Sequence, residues 1–324
     1  PGTAGPIRNN RGAAAIGESF VWQATVSPAD ATDPGLEYVS SDTDVATVSA
    51  EGEVRFVMPG EVTITARSAA DESKADSFTV TVQAPGYIAY EFANDDMADY
   101  EAYFIAGGSG NGGVSAKWNE YFAIEDGVLK TANTATGNVG QNYSVLYLRG
   151  REANNFEIVY RAKATGTNGW FGIQFAMTEK TESGNQNGAF AMMQQQSKKA
   201  TLWGGSVTGL VDASGKGESI EVDSNYVPGE WNLFKLRVVN GQVAFYVNDM
   251  ATPVVTATAK STDITGAISL FADDGTVAEF KDVYFAYLKG DGEVDPYTPI
   301  ESVTINNKTA KAGVGDRIAV DVRV

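Results

Sequence analysis

The chain has 324 residues, a formal net charge of −17 at pH 7, and neither cysteine nor histidine. Its length is enough for two domains and part of a third. The absence of cysteine excludes disulfides, thiol catalysis and cysteine-type zinc sites. The absence of histidine removes the commonest general base and the commonest transition-metal ligand.

The acidic charge and the hydropathy pattern also restrict the classes of partner. Nucleic acids and anionic membrane surfaces both select basic patches, so a strongly acidic chain argues against either partner. No apolar run in the sequence approaches the roughly 20 residues that a membrane-spanning helix needs. We therefore expect neither nucleic-acid binding nor membrane insertion.

The first part of the chain, residues 1–84, consists of short segments in which polar and apolar residues alternate, for example 61–67 and 77–82. Alternation with a period of two is typical of strands that bury one face. Helical periodicity is nearly absent along the whole chain. The pattern predicts an all-β protein of the sandwich type, in which residues 1–84 have the length of one immunoglobulin-like (Ig-like) sandwich.

Three motifs in this first part follow one another in a specific order: SPADAT at 27–32, SSDTDVATV at 40–48 and PGEVTITA at 59–66. This order resembles the bacterial Ig-like group 2 family. The resemblance implies an Ig-like domain over residues 1–84 of a secreted or surface-anchored bacterial protein. It also implies that the module acts as a spacer or, less often, as an adhesive tip.

The two ends of the chain carry related segments: IRNNRGAAAIGESFVWQATV at 7–26 and INNKTAKAGVGDRIAVDVRV at 305–324. A repeated opening segment predicts a repeated module. Residues 291–324 are therefore predicted to be a linker and the first two strands of a second Ig-like domain, in an excerpt of a longer modular protein. Because two strands cannot bury a core, residues 300–324 are expected to be mobile, docked on a neighbouring domain or paired with another molecule.

Segments rich in glycine, proline and acidic residues at 83–86 and 289–299 are typical of linkers. Between them, residues 85–290 are predicted to form one domain with the length of a jelly-roll sandwich. Its landmarks follow in this order: 87–92, 118–122, 124–129, 156–161, 170–177, 189–193, 229–238, 243–248, 266–271 and 280–287. This order resembles the concanavalin A-like lectin/glucanase superfamily, with its laminin-G-like, fructan-binding-module-like and 3-keto-disaccharide-hydrolase-like branches. The resemblance implies a concanavalin A-like jelly roll and makes sugar recognition the default function.

Strand alternation in this domain separates core-facing from outward-facing side chains. In the strand at 170–177, alternate residues are predicted to face the core: Phe171, Ile173, Phe175 and Met177. Trp170 and Gln174 then face outward, as Arg237 and Tyr246 do in two later strands. If this outward face is the concave one, it offers a sugar an aromatic ring beside amide and guanidinium donors. The alternative is an ordinary half-exposed sheet face.

Three further tryptophans were assigned from their local surroundings. Trp118 and Trp203 lie in glycine-rich, polar segments, which are typical of loops that carry function. We predict that each binds a ligand, and the alternative is an anchor that ties a long loop to the core. Trp231 begins a strand in a setting that recurs across the resembled superfamily, and it is predicted to pack in the core.

Acidic residues were considered as metal ligands and as catalysts. Asp273 and Asp274 precede a glycine, and Asp-Gly is a hairpin signal; the alternative is a Ca²⁺ site, the one cofactor that the sequence leaves open. Retaining glycosidases need two carboxylates about 5 Å apart. The chain lacks the E-x-D-x-x-E motif of the family-16 glucanases in the resembled superfamily, and the adjacent Glu125 and Asp126 point to opposite faces of a strand.

Taken together, these observations predict a non-catalytic carbohydrate-binding region of a secreted or cell-surface multimodular bacterial protein, a glycoside hydrolase. The expected partners are a neutral or basic glycan and other modules of the parent chain, because a sulfated glycan would meet like charge. One alternative is an adhesin for host or matrix proteins. Another is a hydrolase of the 3-keto-disaccharide type.

Overall fold

The computed structural model describes residues 13–28, 30–93, 100, 102–105, 114–115, 118–131, 143–166, 169–177, 188–204, 208–215, 217, 219–273, 275–296, 304–305 and 322–323. Strands make up the regular structure of these residues, with one turn of 3-10 helix at Trp118–Glu120. Within the described ranges, no helix has the length and apolar character needed to cross a membrane. The all-β prediction is confirmed.

The first module is an Ig-like sandwich of two sheets, whose strands are numbered in chain order: β1 (Ala13–Ala15), β2 (Ser19–Val21), β3 (Leu36–Ser40), β4 (Ala46–Val48), β5 (Glu53–Phe56), β6 (Gly60–Ser68) and β7 (Ala75–Gln83). One sheet has the order β1-β7-β6-β3 and the other β2-β5-β4. Alternate residues Val62, Ile64 and Ala66 of β6 are buried between the sheets. Trp22 packs there against the ring of Phe78, with centroids 5.0 Å apart. Burying a large apolar side chain contributes roughly 1.5–3 kcal/mol.

The central domain is a sandwich of two larger sheets. The first has eight strands, in the spatial order β10 (Val114–Ser115), β9 (Ala102–Ile105), β13 (Tyr143–Ala153), β22 (Gly266–Asp273), β15 (Trp170–Met177), β16 (Ala189–Gln194), β17 (Lys199–Gly204) and β18 (Ser219–Asp223). The second has nine strands. Seven of them follow the order β11 (Phe122–Glu125), β12 (Val128–Thr131), β23 (Thr276–Leu288), β14 (Phe156–Gly166), β19 (Asn232–Val239), β20 (Gln242–Val247) and β21 (Val255–Thr258). The other two, β8 (Ile88–Tyr90) and β24 (Val294–Asp295), both pair with β23.

The core lies between these two sheets, where alternate residues of facing strands meet. Phe171 of β15 packs edge-on against Phe234 of β19, with ring centroids 5.9 Å apart. The predicted core positions Phe171, Ile173 and Phe175 are confirmed, because each is fully buried there. Met177 is a correction. The pairing of β15 with β22 shifts register between Gln174 and Met177, and Ala176 takes a φ of 57°, so the bulge turns Met177 to the outer face.

Two residues separate β22 from β23, but the two strands do not form a hairpin. β22 ends at Asp273 in the eight-stranded sheet, and β23 begins at Thr276 in the nine-stranded sheet. The Asp-Gly signal therefore marks the point where the chain crosses between sheets. Asp274 itself lies outside the described residues.

The segments on either side of the central domain run next to each other on β23. Gly86 of the first linker has a φ of 80°, and a Cβ atom there would lie 2.7 Å from Cγ1 of Val294. At the end of the chain, β25 (Thr304–Ile305) pairs with β26 (Val322–Arg323). The rest of the repeated segment lies outside the described residues, so the expectation for residues 300–324 stays a prediction.

Candidate functional site

The outer face of the eight-stranded sheet carries an apolar cluster that is separate from the core. Each strand that sends one set of residues into the core sends the alternate set to this face. The cluster, hereafter the aromatic face, comprises Tyr143, Val145, Tyr147, Trp170, Met177, Phe190, Met192, Trp203, Ala267 and Phe271. Six of these residues are buried, and the other four, Tyr143, Trp170, Met192 and Trp203, are half-buried.

A continuous line of ring contacts crosses the aromatic face from β13 to β17. Tyr143 contacts Phe271 with centroids 6.1 Å apart, Phe271 contacts Phe190 at 5.0 Å, and Phe190 contacts Trp203 at 5.4 Å. Phe271 and Phe190 belong to β22 and β16, which lie on opposite sides of β15. Their rings meet because residue 172, opposite Phe271 on β15, is glycine and has no side chain to separate them.

The backbone at Gly172 also requires glycine. Its φ is 148°, and a Cβ atom there would lie 2.4 Å from the carbonyl oxygen of Ala191. Glycine inside a strand often marks a place where another group approaches the backbone closely. At this position the approaching group is the backbone of Ala191 and Met192 in β16.

Three polar atoms on the aromatic face are enclosed, and none of them has a hydrogen-bond partner in the described part of the chain: Nε1 of Trp170, Nε2 of Gln174 and Oγ1 of Thr201. Gln174 is fully buried, and its Oε1 accepts a hydrogen bond from Oγ of Ser269 at 3.2 Å. An enclosed polar atom without a partner costs about 1–3 kcal/mol. The two nitrogens can only donate, so this face is short of acceptors.

A buried carboxylate lies at one end of the line of rings. Asp273 is directly opposite Tyr143 in the pairing of β13 with β22, and it is 1% exposed. Burial, and then the charge of Asp273, raise the pKa of Tyr143 to about 12. The phenol is therefore neutral at physiological pH and is able to donate a hydrogen bond.

The structure brings three of the predicted ligand-binding residues together. Trp170 and Gln174 lie on the outer face of β15, and Trp203 lies on the same face of β17. Phe190 of the intervening strand β16 pairs with both Gln174 and Trp203. Trp170 and Trp203 are half-buried members of the aromatic face. The prediction that Trp203 lies in a loop is wrong, because it is the fifth residue of a six-residue strand.

Arg237 and Tyr246 do not share this face, so the prediction that they do is wrong. They lie on β19 and β20 of the nine-stranded sheet and face outward on the opposite side of the domain. Alternation indicates that a residue points away from the core, but it does not indicate which of two sheets holds the strand. Arg237 is paired with Glu157, with Nη1 2.9 Å from Oε2. The ring of Tyr246 lies 4.0 Å from Nζ of Lys235.

The other two tryptophans also lie away from the aromatic face. Trp118 is in the 3-10 turn and packs, half-buried, against the main core, as the anchor alternative supposed. Trp231 is not a core residue, which corrects that prediction. Its ring is half-buried on the outer side of the nine-stranded sheet, 4.9 Å from Nζ of Lys163 and 4.3 Å from Nζ of Lys281.

Several residues of the aromatic face were missed from the sequence: Tyr143, Phe190, Thr201, Ser269 and Phe271. The segment 266–271 reads as an almost continuous apolar run, and all eight residues of β22 are buried. A strand that is buried on both faces has no polar face to reveal its alternation. The available signal was the alternation itself. If Ile268 and Leu270 face the core, then Phe271, one residue further along, faces outward.

Calcium ligands are the remaining site prediction. Asp273 is buried beside Tyr143, whereas Asp274 lies outside the described residues. Over the described ranges, no group of three or more acidic side chains is arranged to hold a metal ion. The Ca²⁺ alternative at Asp273 and Asp274 stays a prediction.

Comparison with known families assigns the domain that holds the aromatic face. The profile described as 3-keto-alpha-glucoside-1,2-lyase-like domain matches residues 105–286, more than half of the chain. The chain belongs to this family. A second profile, bacterial Ig-like domain (group 2), matches residues 6–82 in front of the lyase-like domain. The aromatic face lies within the lyase-like domain.

Two curated proteins are similar to short parts of the chain. A 3-O-alpha-D-galactosyl-alpha-L-arabinofuranosidase of Bifidobacterium longum subsp. longum is 45% identical over 67 residues, which is 21% of this chain and 6% of that protein. An Ig-like virion protein of Serratia phage KSP90 is 46% identical over 69 residues, which is 21% of this chain and 26% of that protein. The chain thus spans only a small fraction of the length of either relative.

Solved structures similar to the chain include three from carbohydrate-active proteins. A carbohydrate-binding module CBM66 from Bacillus subtilis has 13% identity and a TM-score of 0.38, over 50% of this chain and 88% of that chain. A putative glycosyl hydrolase from Parabacteroides distasonis has 20% identity and a TM-score of 0.40, over 63% and 94%. A lichenase from a mouse hindgut metagenome has 16% identity and a TM-score of 0.43, over 65% and 99%. Identities of this size concern the fold alone.

Proposed function

We propose that the lyase-like domain binds a carbohydrate on the aromatic face, as a non-catalytic module of a larger secreted or cell-surface protein. The observation that carries the proposal is the line of rings next to three enclosed polar atoms without partners. A sugar presents an apolar C–H face to a ring and hydroxyl oxygens to donors. The rings and the unpaired polar atoms can therefore each contact a different part of the sugar. The family profile, whose description names a glucoside, supports the same class of ligand.

The half-buried rings of Trp170 and Trp203 are the surfaces on which a sugar would stack. Each ring contact is worth on the order of 1 kcal/mol, by analogy with contacts between aromatic side chains. The unpaired atoms of Gln174 and Thr201 lie enclosed beside them, so the ligand reaches these atoms only when the side chains above move apart. Single-site affinity is then expected in the micromolar to millimolar range, with further modules adding avidity.

The carboxylates of the described residues support a non-catalytic role. Asp273 and Glu157 are the buried carboxylates within the described ranges, and Glu157 lies on the nine-stranded sheet, paired with Arg237. Among the described residues, the aromatic face therefore has one buried carboxylate, whereas the two-carboxylate mechanism of glycosidases needs a pair. The chain also has no histidine to act as a second acid or base.

A second candidate function is a 1,2-elimination, which the family description favours. In a 3-keto glycoside, the ketone at C3 acidifies the proton at C2. A base removes that proton, the C1–O bond breaks, a C1=C2 double bond forms, and the leaving alkoxide takes up a proton. Asp273 is the buried base on the aromatic face that would accept the C2 proton.

A glycan array with the full chain tests the proposal. We expect binding to neutral or basic glycans and loss of that binding in Trp203→Ala. The matched control is Trp231→Ala, which removes the same side chain from the opposite sheet and should bind as the wild type does. The proposal is overturned if no glycan binds, if Trp203→Ala binds normally, or if the chain binds host proteins instead.

The enzymatic candidate has a separate readout. Elimination from a 3-keto-α-glucoside produces a conjugated enone, which absorbs in the ultraviolet, whereas binding alone does not change the spectrum. Appearance of this absorbance with the wild type, and its loss in Asp273→Asn with glycan binding retained, would replace the non-catalytic proposal. A silent spectrum with array binding supports the binding module.

A further inference from the structure

The Ig-like module packs against the outer face of the nine-stranded sheet. Val57 and Met58, which follow β5, are 6% and 1% exposed and form one apolar cluster with Val159 of β14 and Leu233 of β19. Three half-buried side chains complete the cluster: Tyr87, Met250 and Tyr284. Because Met58 is outside the core cluster of its own module, its burial comes from the contact between modules.

The turn that carries these two residues is held in place by its own backbone. The amide nitrogens of Val57 and Met58 both donate to the carbonyl oxygen of Val45, at 2.9 and 3.3 Å. The apolar projection therefore enters the contact in a fixed conformation, and its binding loses little conformational entropy.

An ion pair links the modules beside this apolar cluster. Arg161 of β14 lies between two carboxylates, 3.4 Å from Oδ2 of Asp44 in the Ig-like module and 3.0 Å from Oδ2 of Asp282 in β23. The Arg161 side chain is 15% exposed, so its attraction to Asp44 is less screened than that of a fully exposed pair.

The linker between the modules is also tied to the sheet. The amide of Tyr87 donates to the carbonyl of Ala84, which makes the linker a tight turn. The Tyr87 hydroxyl donates to Oε1 of Glu157 at 2.6 Å, and Arg237 holds the other oxygen of Glu157 at 2.9 Å. The linker therefore does not allow the Ig-like module to move away from the nine-stranded sheet.

We infer that the Ig-like module is a fixed brace on the outer face of the nine-stranded sheet, and not a spacer on a flexible tether. The apolar cluster and the Asp44–Arg161 pair are two independent contacts between the same two bodies, and the anchored linker joins those bodies over a short distance. The inference goes beyond carbohydrate binding and does not depend on it. Val159 and Leu233 place this contact on the outer face that also holds Arg237 and Tyr246, and not on the sheet that carries the aromatic face.

Backbone ¹⁵N relaxation of the full chain tests the brace. Both modules should show the same rotational correlation time in the wild type. Met58→Asp places a charge in the apolar contact without touching the Ig-like core, so the two modules should then tumble with different correlation times. Val21→Asp, at a residue of the same module that is 57% exposed, should leave them equal.

A second variant covers the case in which Met58→Asp fails to fold. Asp44 is half-exposed, so Asp44→Lys leaves the module folded while it replaces attraction to Arg161 by repulsion. We expect the correlation times to separate in Asp44→Lys and to separate less in Asp44→Asn. Unequal correlation times in the wild type would overturn the inference, as would equal times in every folded variant.

Discussion

Thr201 is a side chain that lowers stability and to which the proposed function gives a role in ligand binding. It is 2% exposed, and its hydroxyl has no partner in the described part of the chain. Thr201→Val replaces that hydroxyl by a methyl group of the same shape. We expect the free energy of unfolding to rise by up to about 1 kcal/mol. Glycan affinity should fall roughly fivefold for a lost bond of that strength. Chemical denaturation and titration calorimetry measure the two effects.

The matched control for this change is Thr131→Val. Thr131 is equally buried, at 2%, but its hydroxyl accepts from the amide of Ala278 at 3.0 Å. Removing a buried acceptor that is in use should cost about 1–3 kcal/mol. If both valine variants lose stability to the same extent, the Thr201 hydroxyl has a partner in solution and the argument from its unpaired state fails.

The raised pKa of Tyr143 predicts a loss of stability in alkali. The pKa is about 12 in the folded chain and about 10 in an unfolded one. Below pH 10 both states hold the proton. Between these values the unfolded state loses its proton first, so unfolding becomes more favourable as the pH rises, by at most about 1.4 kcal/mol per unit.

Tyr143→Phe isolates this contribution from the other tyrosines. Between pH 9 and pH 11, the variant should lose about 1 kcal/mol less unfolding free energy than the wild type does. Denaturation midpoints across that range provide the measurement. Parallel pH curves for the two proteins would show that Tyr143 titrates normally.

Among the elements, β15 has a local backbone constraint at its bulge. Ala176 adopts a φ of 57° at the bulge that turns Met177 to the aromatic face. A left-handed conformation costs a non-glycine residue roughly 1–2 kcal/mol. Ala176→Gly should therefore stabilise the fold by about 1 kcal/mol in chemical denaturation. Ala189→Gly, at a buried position in the neighbouring strand β16, should destabilise it by about the same amount, and the same sign for both variants would contradict the account.

The elements also show what could be predicted from the sequence. Alternation correctly placed Phe171, Ile173 and Phe175 in the core because a regular strand has a period of two. It failed at Met177, because a bulge adds a residue that no local pattern announces. Alternation could not show that Arg237 and Trp170 lie in different sheets, because strand partners are decided by contacts between distant parts of the chain. The outward position of Phe190 and Phe271 was missed for a third reason. Their strands are largely buried on both faces and so have no polar face to reveal the alternation.

On the scale of the whole molecule, the contact between modules predicts how the central domain behaves alone. A fragment of residues 85–290 loses the cover of Met58 and the backbone partner of Arg237 at Gly292. We still expect a cooperative thermal transition, because the core between the two sheets is intact. The melting temperature should fall by roughly 5–10 °C, which corresponds to a few kcal/mol for a domain of this size. An unfolded fragment would show that the proposed boundaries are wrong.

The same fragment should self-associate through the uncovered side chains of Val159 and Leu233. Replacing Leu233 by serine in the fragment should restore a monomer in sedimentation velocity. A fragment that is already monomeric at high concentration would indicate that the covered patch is too small to be adhesive.

The two strands that flank the central domain, β8 and β24, lie together on β23, with Gly86 close to Val294. A domain whose first and last residues are neighbours can be placed between two others without changing the distance between them. In a row of Ig-like modules, the lyase-like domain would therefore be a side branch and not a link in the row. A protein built in this way can carry such a domain at many points along its length while its total reach is set by the Ig-like modules alone.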